Sequence, residues 1–302
     1  MKPKQRKFLW AVAVIAICVF FAVRYFSRPA RPEPVYHGKT LTRWLKQLDD
    51  GQAFGISSGT LPSPTPAQLE AADAIRAMGV AALPLLMEDV HARPAENSSR
   101  NQFYRWSTSH LPRALGLPFM FLDVTREDRT RWRAAQGLAA LGPLAKPALP
   151  ELKRLLYTNF WHSSIKEAAY ALATIGPQGI EILTNAPSQN EWSGMCAIWA
   201  LGQHPSVGTN VIPFLITATA SSSEGTACGA IQVLGLFQAD GEHVVPALTS
   251  ALNSPNTVVR RDAAQALGHF GRQAASALPL LQSLTNDDAV RDAALKAIKK
   301  IQ

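Results

Sequence analysis

"AAQALGHFG", residues 263–271, decides the fold, because close relatives of it return along the chain at a constant interval. The same positions read "AIQVLGLFQ" at 230–238 and "AIWALGQHP" at 197–205, an interval of 33 residues each time. Internal periods of about 20 to 50 residues are typical of solenoids, in which one small structural unit is stacked many times. The sequence therefore predicts an array of similar units.

A recurring alanine and a large aliphatic residue four positions later define the repeat frame. Residues four apart lie on one face of a helix. The small residue lets a neighbouring helix come close, and the large one fills the space beside it. The alanines are Ala71, Ala134, Ala168, Ala197, Ala230, Ala263 and Ala294. Their aliphatic partners are Ile75, Leu138, Leu172, Leu201, Leu234, Leu267 and Ile298.

Glycine and proline mark where the helices of each unit end and begin. Eight residues after the alanine stand Gly79, Gly142, Gly176 and Gly271. Glycine just past an apolar periodic stretch is a helix stop. Sixteen residues after the alanine stand Pro150, Pro213, Pro246 and Pro279. Because proline is tolerated in a first helical turn, each is expected to open a second, shorter helix. One such unit cannot bury its apolar face alone, so the units must stack.

These features predict an all-α fold, a right-handed α–α superhelix of about six to seven helix pairs over residues 67–302. The stretches "VRRDAAQALGHFGRQAASALPLLQSL" (259–284) and "RWRAAQGLAALGPLAKPALPELKRLL" (131–156) resemble HEAT repeats of the short, phycobilisome-lyase-like subtype. Tetratricopeptide and ankyrin arrays have similar periods, but their marker residues are missing. The resemblance implies a HEAT/armadillo-like solenoid.

The frame is interrupted in two places. Ala71 and Ala134 are 63 residues apart, close to two periods, so an irregular insert with a degenerate unit is expected at 92–130. Ala168 and Ala197 are only 29 residues apart, and this unit lacks its proline. The insert carries Phe103, Tyr104, Trp106, Phe119 and Phe121. Packing of these rings onto the array is favoured over a binding patch.

An apolar run near the N-terminus predicts a membrane anchor. Phe8 to Val23 carries no charge, and the run extends to Phe26 if Arg24 reaches the headgroups. About twenty apolar residues span a bilayer. Residues 1–7 are basic and are expected to stay in the cytoplasm. A signal anchor is therefore predicted at 8–26 in the cytoplasmic (inner) membrane, with the solenoid on the periplasmic or extracellular side. A cleaved signal peptide is the competing reading, but no small-residue cleavage site follows the run.

Residues 27–66 connect this anchor to the array and are predicted to form a Pro-rich stalk, a short helix and a loop. The stalk, "SRPARPEPVYHG" at 27–38, should be extended. The segment "YHGKTLTRWL" at 36–45 resembles membrane-anchored bacterial HEAT proteins that begin in this way after the anchor. Most such proteins have no assigned activity, so this resemblance implies architecture alone.

The positive charge of the chain does not indicate nucleic-acid binding. The net charge is +8, but residues 1–31 hold seven Lys or Arg and no acid, which leaves a net charge of +1 for the rest. From Glu167 to Val259 there is no Lys or Arg at all. Since phosphate binding needs clustered cations, no nucleic-acid partner is expected.

No pattern of catalytic or metal-ligating residues is evident. The seven histidines have no His, Cys or carboxylate partner at metal-ligand spacing, so no catalytic residue, metal or cofactor is expected. Cys196 and Cys228 are predicted to be small buried side chains, and His204 a half-buried structural residue. Three arginines at one frame position are expected to support the loops between units through exposed ion pairs. They are Arg131, Arg260 and Arg291.

The predicted function is a membrane-tethered, non-catalytic scaffold that binds a protein or peptide. The alternative is an enzyme or enzyme-accessory protein, because the resembled HEAT subtype is named for chromophore lyases. Counted from each proline, positions two and five should face the core, and positions three and four should face a groove. The groove positions are Lys153, Arg154, Ile216, Thr217, Thr249, Ser250, Gln282 and Ser283. This groove would be charged at its N-terminal end and neutral beyond, which suits a polypeptide.

Overall fold

A computed structural model describes residues 32–49, 64–91, 126–157, 164–188, 190–204 and 209–302. The chain divides into two compact units, Met1–Glu33 and Pro34–Gln302, and every element below lies in the second. Within the described ranges, no helix is both long and apolar enough to cross a membrane. The predicted anchor at 8–26 lies outside those ranges.

A small hairpin and a short helix begin the second unit. Strands β1 (Val35–Tyr36) and β2 (Lys39–Thr40) pair antiparallel, and helix α1 (Leu41–Leu48) follows at once. The two turn residues, His37 and Gly38, both have positive φ, as a tight two-residue hairpin requires. The prediction of a stalk that extends to residue 38 is therefore wrong at its C-terminal end, because backbone pairing folds this part back.

Helix pairs follow along the rest of the described chain. The first helices of the pairs are α2 (Pro66–Met78), α4 (Arg126–Leu141), α6 (Ser164–Ile175), α8 (Glu191–Gln203), α10 (Glu224–Leu234) and α12 (Thr257–Leu267). The second helices are α3 (Leu83–Val90), α5 (Leu149–Tyr157), α7 (Pro177–Thr184), α9 (Ile212–Ala218), α11 (Gly241–Ala251) and α13 (Leu278–Ser283). Helix α14 (Arg291–Ile301) closes the array as a further first helix.

The repeat frame is confirmed by burial. All seven frame alanines are 0% exposed, and six of their seven aliphatic partners are also 0% exposed. Ile298, near the C-terminal end of the array, is partly buried. First helices of successive units contact one another, and each second helix contacts the first helix of the next unit. The glycines at the helix stops have φ of 58° (Gly79), 54° (Gly142), 120° (Gly176) and 51° (Gly271). Glycine adopts this backbone region without steric cost, so the stops at Gly79, Gly142 and Gly176 are confirmed. Helix α12 already ends at Leu267, and Gly271 instead begins the 3-10 turn that follows.

The prolines open second helices in three of the four units that carry them. Pro150, Pro213 and Pro279 each stand at the second position of their helix. Pro246 instead lies inside α11, which begins at Gly241, so the prediction is wrong there. This unit has Gln238 where four other units have the glycine stop, and the three-residue 3-10 turn Gln238–Asp240 leads directly into α11. The second helix therefore starts earlier and includes the proline.

The first two pairs are neighbours in space although they are far apart in sequence. Both α2 and α3 contact α4. Helix α4 begins at Arg126, inside the range 92–130 that was assigned to the insert. Residues 92–125, with their five aromatic side chains, lie outside the described residues.

A polar ladder joins the start of three successive first helices. Helices α8, α10 and α12 begin at the N-caps Asn190, Ser223 and Asn256, whose side chains accept backbone N–H groups. The Ser223 hydroxyl also donates to the carboxylate of Glu191 at 2.5 Å, and the Asn256 amide donates to Glu224 at 2.7 Å. Ser223 and Asn256 thus cap their own helices and also bond the preceding unit, whereas Asn190 caps α8 alone.

Candidate functional site

The predicted groove residues all lie on second helices. Lys153 and Arg154 lie on α5, Ile216 and Thr217 on α9, Thr249 and Ser250 on α11, and Gln282 and Ser283 on α13. Ile216 and Thr249 are half-buried, and the other six are exposed. Position two after each proline faces the core as predicted, since Leu152, Leu215, Leu248 and Leu281 are 0% exposed. Position five is buried in three of the four units, and Leu284 in the last is half-buried. Side-chain orientation on these helices therefore follows the predicted pattern.

Three of the four hydroxyl groups of this surface are bonded within their own helices. Thr217 donates to the carbonyl of Pro213 at 3.0 Å, and Thr249 donates to that of Val245 at 2.8 Å. Ser283 donates to the carbonyl of Leu280 at 2.7 Å. Because each hydroxyl hydrogen is engaged, these side chains offer a methyl or methylene surface and oxygen lone pairs to a partner.

The N-terminal end of the groove is less positive than its two cations imply. The Arg154 guanidinium donates to both carboxylate oxygens of Glu151 at 2.5 to 3.0 Å, and it lowers the pKa of that carboxyl to about 2. Nε2 of His91 also lies 2.5 Å from Glu151. The ammonium of Lys153 instead lies 5.8 Å above the ring of Tyr157. Arg154 is thus held by a carboxylate, whereas Lys153 contacts an aromatic ring and keeps its charge available to a ligand.

Tyr157 connects this end of the groove to the short third unit. Its hydroxyl donates to the carbonyl of Ile182 at 2.8 Å. Burial raises the pKa of this phenol, with a contribution from the nearby carboxylate of Glu181. The ring is thus held between α5 and α7, with its face toward the ammonium group of Lys153.

An aromatic cluster that the sequence analysis missed lies on three successive first helices. Trp132 on α4, Tyr170 on α6 and Trp199 on α8 have ring centroids 4.7 to 6.2 Å apart, and all three are half-buried. His204 stacks on Tyr170 at 4.4 Å, and burial lowers its pKa to about 4. The sequence contained a pattern that could have predicted this cluster. Tyr170 and Trp199 stand two residues after a frame alanine, and Trp132 stands two before one. These two frame positions are four residues apart and therefore lie on one helix face.

The three frame arginines separate into two kinds. Arg260 donates to the carbonyls of Ser254 and Pro255 and pairs with Asp287 at 2.7 Å, and Arg291 donates to the carbonyl of Thr285 at 2.7 Å. Support of the inter-unit loops by these two is confirmed. Arg131 occupies the same frame position, but it is 0% exposed.

Arg131 lies in a buried polar cluster, so the expectation of an exposed pair is wrong for it. Its Nε is 3.7 Å from the carboxylate of Glu167, which is also fully buried, and its guanidinium pairs with Asp128. Burial raises the pKa of Glu167 to about 7, although the guanidinium opposes this. Charges taken out of water need such partners, so the cluster has a structural explanation.

The two thiols and the potential metal ligands suggest no further site. Cys196 and Cys228 are buried and unpaired, and burial raises the pKa of both thiols. Over the described ranges, no group of three or more His, Cys, Asp or Glu side chains could hold a metal ion.

One family model matches part of the chain, and several solved structures are similar to it at low sequence identity. The family described as HEAT repeats matches residues 212–299, which span α9 to most of α14. An engineered protein is 20% identical over 88% of this chain and 68% of its own, with a TM-score of 0.38. Human deoxyhypusine hydroxylase is 19% identical over 86% of this chain and 95% of its own, with a TM-score of 0.35. A designed armadillo repeat protein in complex with the peptide (KR)4 is 16% identical over 87% of this chain and 100% of its own, with a TM-score of 0.30. No curated protein matches the chain.

Proposed function

We propose that this HEAT-like repeat protein is a membrane-tethered, non-catalytic scaffold that binds an extended segment of a partner protein along its second helices. The observation that carries this proposal is the regular alternation on α5, α9, α11 and α13. Positions two after the proline are buried, whereas positions three and four include six exposed and two half-buried side chains. A row of accessible side chains thus recurs in unit after unit.

The spacing of this row suits an extended chain. Packed helices lie about 8 to 10 Å apart. An extended polypeptide advances about 3.3 Å per residue. Each unit would therefore meet about every third residue of a partner segment, and successive units would add contacts along it. Repetition of small contacts is how an array without a deep pocket gains affinity.

The charge distribution supports a polypeptide rather than a polyanion. Residues 167–259 contain six acidic side chains and no Lys or Arg. The groove positions on α9, α11 and α13 are all uncharged, and Arg154 on α5 is paired with Glu151. A nucleic acid would need several cations along its path. An uncharged or partly basic peptide would meet no electrostatic penalty here.

Tethering is proposed from the N-terminal sequence. The run from Phe8 to Phe26 has the length of a membrane span, and four cations precede it. We expect the anchor to stay in the cytoplasmic membrane, with the repeats on its periplasmic or extracellular side. A C-terminal fusion to a reporter that is active only outside the cytoplasm should be active. Activity of a cytoplasm-only reporter at the same position would contradict this orientation.

Crosslinking from defined positions tests the binding surface. A photoreactive amino acid at Thr217 should capture a partner in intact membranes, whereas the same residue at Gln265, exposed on the first helix α12, should not. The double variant Thr217→Arg, Thr249→Arg should reduce capture from position 250 at least tenfold. The control Gln232→Arg, Gln265→Arg adds the same charge to first helices and should leave capture unchanged.

Two results would overturn the groove assignment. One is equal capture from positions 217 and 265. The other is full capture by the double threonine variant, provided that circular dichroism shows unchanged helical content. A turnover assay on the captured complex addresses the enzyme-accessory alternative, since an accessory role requires that activity of the partner depend on this chain.

A further inference from the structure

We propose that the N-terminal cap, residues 34–49, binds the anionic lipid surface of the membrane in which the chain is anchored. This inference rests on the proposed membrane anchor. It adds a second contact, made by the hairpin and α1, which would hold the first end of the array at the bilayer surface.

Helix α1 has one face for the core and one for solvent. Leu41, Trp44 and Leu45 are at most 3% exposed and pack against the array, where α1 contacts α2 and α4. Arg43 and Lys46 are exposed. Being three residues apart, they share the helix face opposite the buried one. The outer side of the cap therefore presents two cations.

The hairpin adds exposed apolar and aromatic surface to the same cap. The indole N–H of Trp44 donates to the carbonyl of Tyr36 at 3.1 Å, which fixes β1 against α1. Val35 is 61% exposed and Tyr36 is 36% exposed. An exposed tyrosine, an exposed aliphatic side chain and two cations on one small cap are the composition of an interfacial contact, because the amphipathic ring is favoured at the headgroup level.

The neighbouring acids do not neutralise Arg43 and Lys46. Asp49 pairs with Arg133 of α4 at 2.7 Å, and Glu70 of α2 accepts the side-chain amide of Gln47 at 2.9 Å. No ion pair of Arg43 or Lys46 occurs within the described residues. Both cations are therefore available to phosphate groups, with which charged donors form strong hydrogen bonds.

Chain length makes this contact reachable. Eight residues, 27–34, separate Phe26 from Val35, and they include three prolines. At about 3.1 Å per residue, an extended Pro-rich segment spans about 25 Å. Each Lys or Arg near an anionic surface favours binding about fivefold. That affinity is weak for a free protein, but a short tether keeps the cap at high local concentration, so a weak contact suffices.

The test uses the full chain reconstituted in vesicles, with Cys18 replaced by serine and an environment-sensitive fluorophore on a cysteine at position 35. The native thiols at 196 and 228 are buried, so labelling is selective. With phosphatidylglycerol in the vesicles, emission at position 35 should shift to the blue and be quenched by lipid-borne quenchers. Pure phosphatidylcholine vesicles should give a smaller response, and a label at Glu242, on the distant helix α11, should give none.

Charge reversal separates the cap contact from the anchor. Arg43→Glu with Lys46→Glu should abolish the response at position 35 while the chain still floats with vesicles. Lys299→Glu with Lys300→Glu, exposed on α14, is the matched control and should change neither result. Two results would overturn the cap contact while leaving the anchor in place. One is a full fluorescence response at position 35 in the variant Arg43→Ala, Lys46→Ala. The other is an equal response from the labels at positions 35 and 242. If the chain fails to float, both fail.

Discussion

The pair α6/α7 and the pair α12/α13 build the same unit with turns of different length. In α12/α13 a 3-10 turn, Gly271–Ala277, separates the helices, and the proline is the second residue of α13. In α6/α7 the second helix begins with Pro177 directly after Gly176. Nonetheless, the frame leucines Leu172 and Leu267 are both 0% exposed. The turn can thus shorten without moving the first helix out of frame.

The short turn brings the two helices of its unit unusually close. A Cβ added at Gly179 of α7 would lie 2.1 Å from the carbonyl oxygen of Leu172 on α6. Real Cβ atoms do not approach backbone oxygens this closely, so only glycine fits. The comparison teaches that unit length depends on the turn, whereas the frame depends on the first helix.

The largest expected effect is common to both pairs. Leu172→Ala and Leu267→Ala should each lower the free energy of unfolding by about 2 to 5 kcal/mol, because each leaves a cavity at a fully buried site. Chemical denaturation followed by circular dichroism measures this. Leu295→Ala, at a position 50% exposed on α14, is the control and should stay within about 0.5 kcal/mol. An unchanged midpoint for either buried leucine would mean that its unit does not share the frame.

The next effect should appear in the short pair alone. Gly179→Ala should destabilise by about 1 to 3 kcal/mol or more, since the backbones of α6 and α7 must separate. Gly229→Ala on α10 is the matched control, because its Cβ would meet Ile198 at an ordinary 3.4 Å. There the higher helix propensity of alanine should give no loss, or a gain of up to about 1 kcal/mol. Equal effects at the two positions would argue against the close approach.

Stability should respond to pH through two buried groups near the short pair. The pKa of Glu167 is raised from 4.5 to about 7, so the folded state keeps a proton that the unfolded chain loses, and stability falls as pH rises through this window. The pKa of His204 is lowered from 6.5 to about 4, so the unfolded chain binds the extra proton, and stability rises with pH through that window. The two trends oppose each other in the native protein.

Single variants should reveal each trend. His204→Phe introduces the residue found at the equivalent position of the regular pair, Phe270. The denaturation midpoint of this variant should decrease as the pH is raised from 5 to 7. Glu167→Gln should leave a protein whose midpoint rises with pH over the same range. Midpoints measured across that range decide this, and parallel pH profiles for the two variants would refute the assignment.

The smallest effects concern the prolines of the regular units. Pro246→Ala should raise the free energy of unfolding by about 1 to 2 kcal/mol. An internal proline costs a helix about 3 kcal/mol, whereas its removal stabilises the unfolded chain by about 1 kcal/mol through added conformational entropy. Pro279→Ala should lose less than about 1 kcal/mol, because a first-turn proline breaks no helical hydrogen bond. Thermal unfolding of both variants sharpens the contrast, and a destabilised Pro246→Ala would show that α11 requires its proline.

Local patterns predicted the groove side chains well. The orientation of Leu152 and Lys153 on α5, one buried and one exposed, follows from helical periodicity and the position of Pro150. What these exposed groups bond to did not follow. Pairing of Arg154 with Glu151 is local, three residues apart, but the contact of Glu151 with His91 joins helices 60 residues apart in sequence.

The aromatic cluster and the buried ion pair were harder to predict for the same reason. Trp132, Tyr170 and Trp199 come from three units, and their contact depends on how the first helices lie side by side. Arg131 shares its frame position with Arg260, yet one is fully buried and the other is not. Equivalent positions in a repeat differ once their neighbours differ.

By itself, the sequence determined the helix pairs, their stacking and the glycine stops, because these depend on periodicity, on the small size of alanine and on backbone freedom at glycine, all of which are local. Only the tertiary structure decided that Pro246 lies within a helix, that residues 34–38 belong to the cap, and that Glu167 is buried beside Arg131. Those outcomes depend on which distant surfaces meet, and on the loss of water around the groups between them.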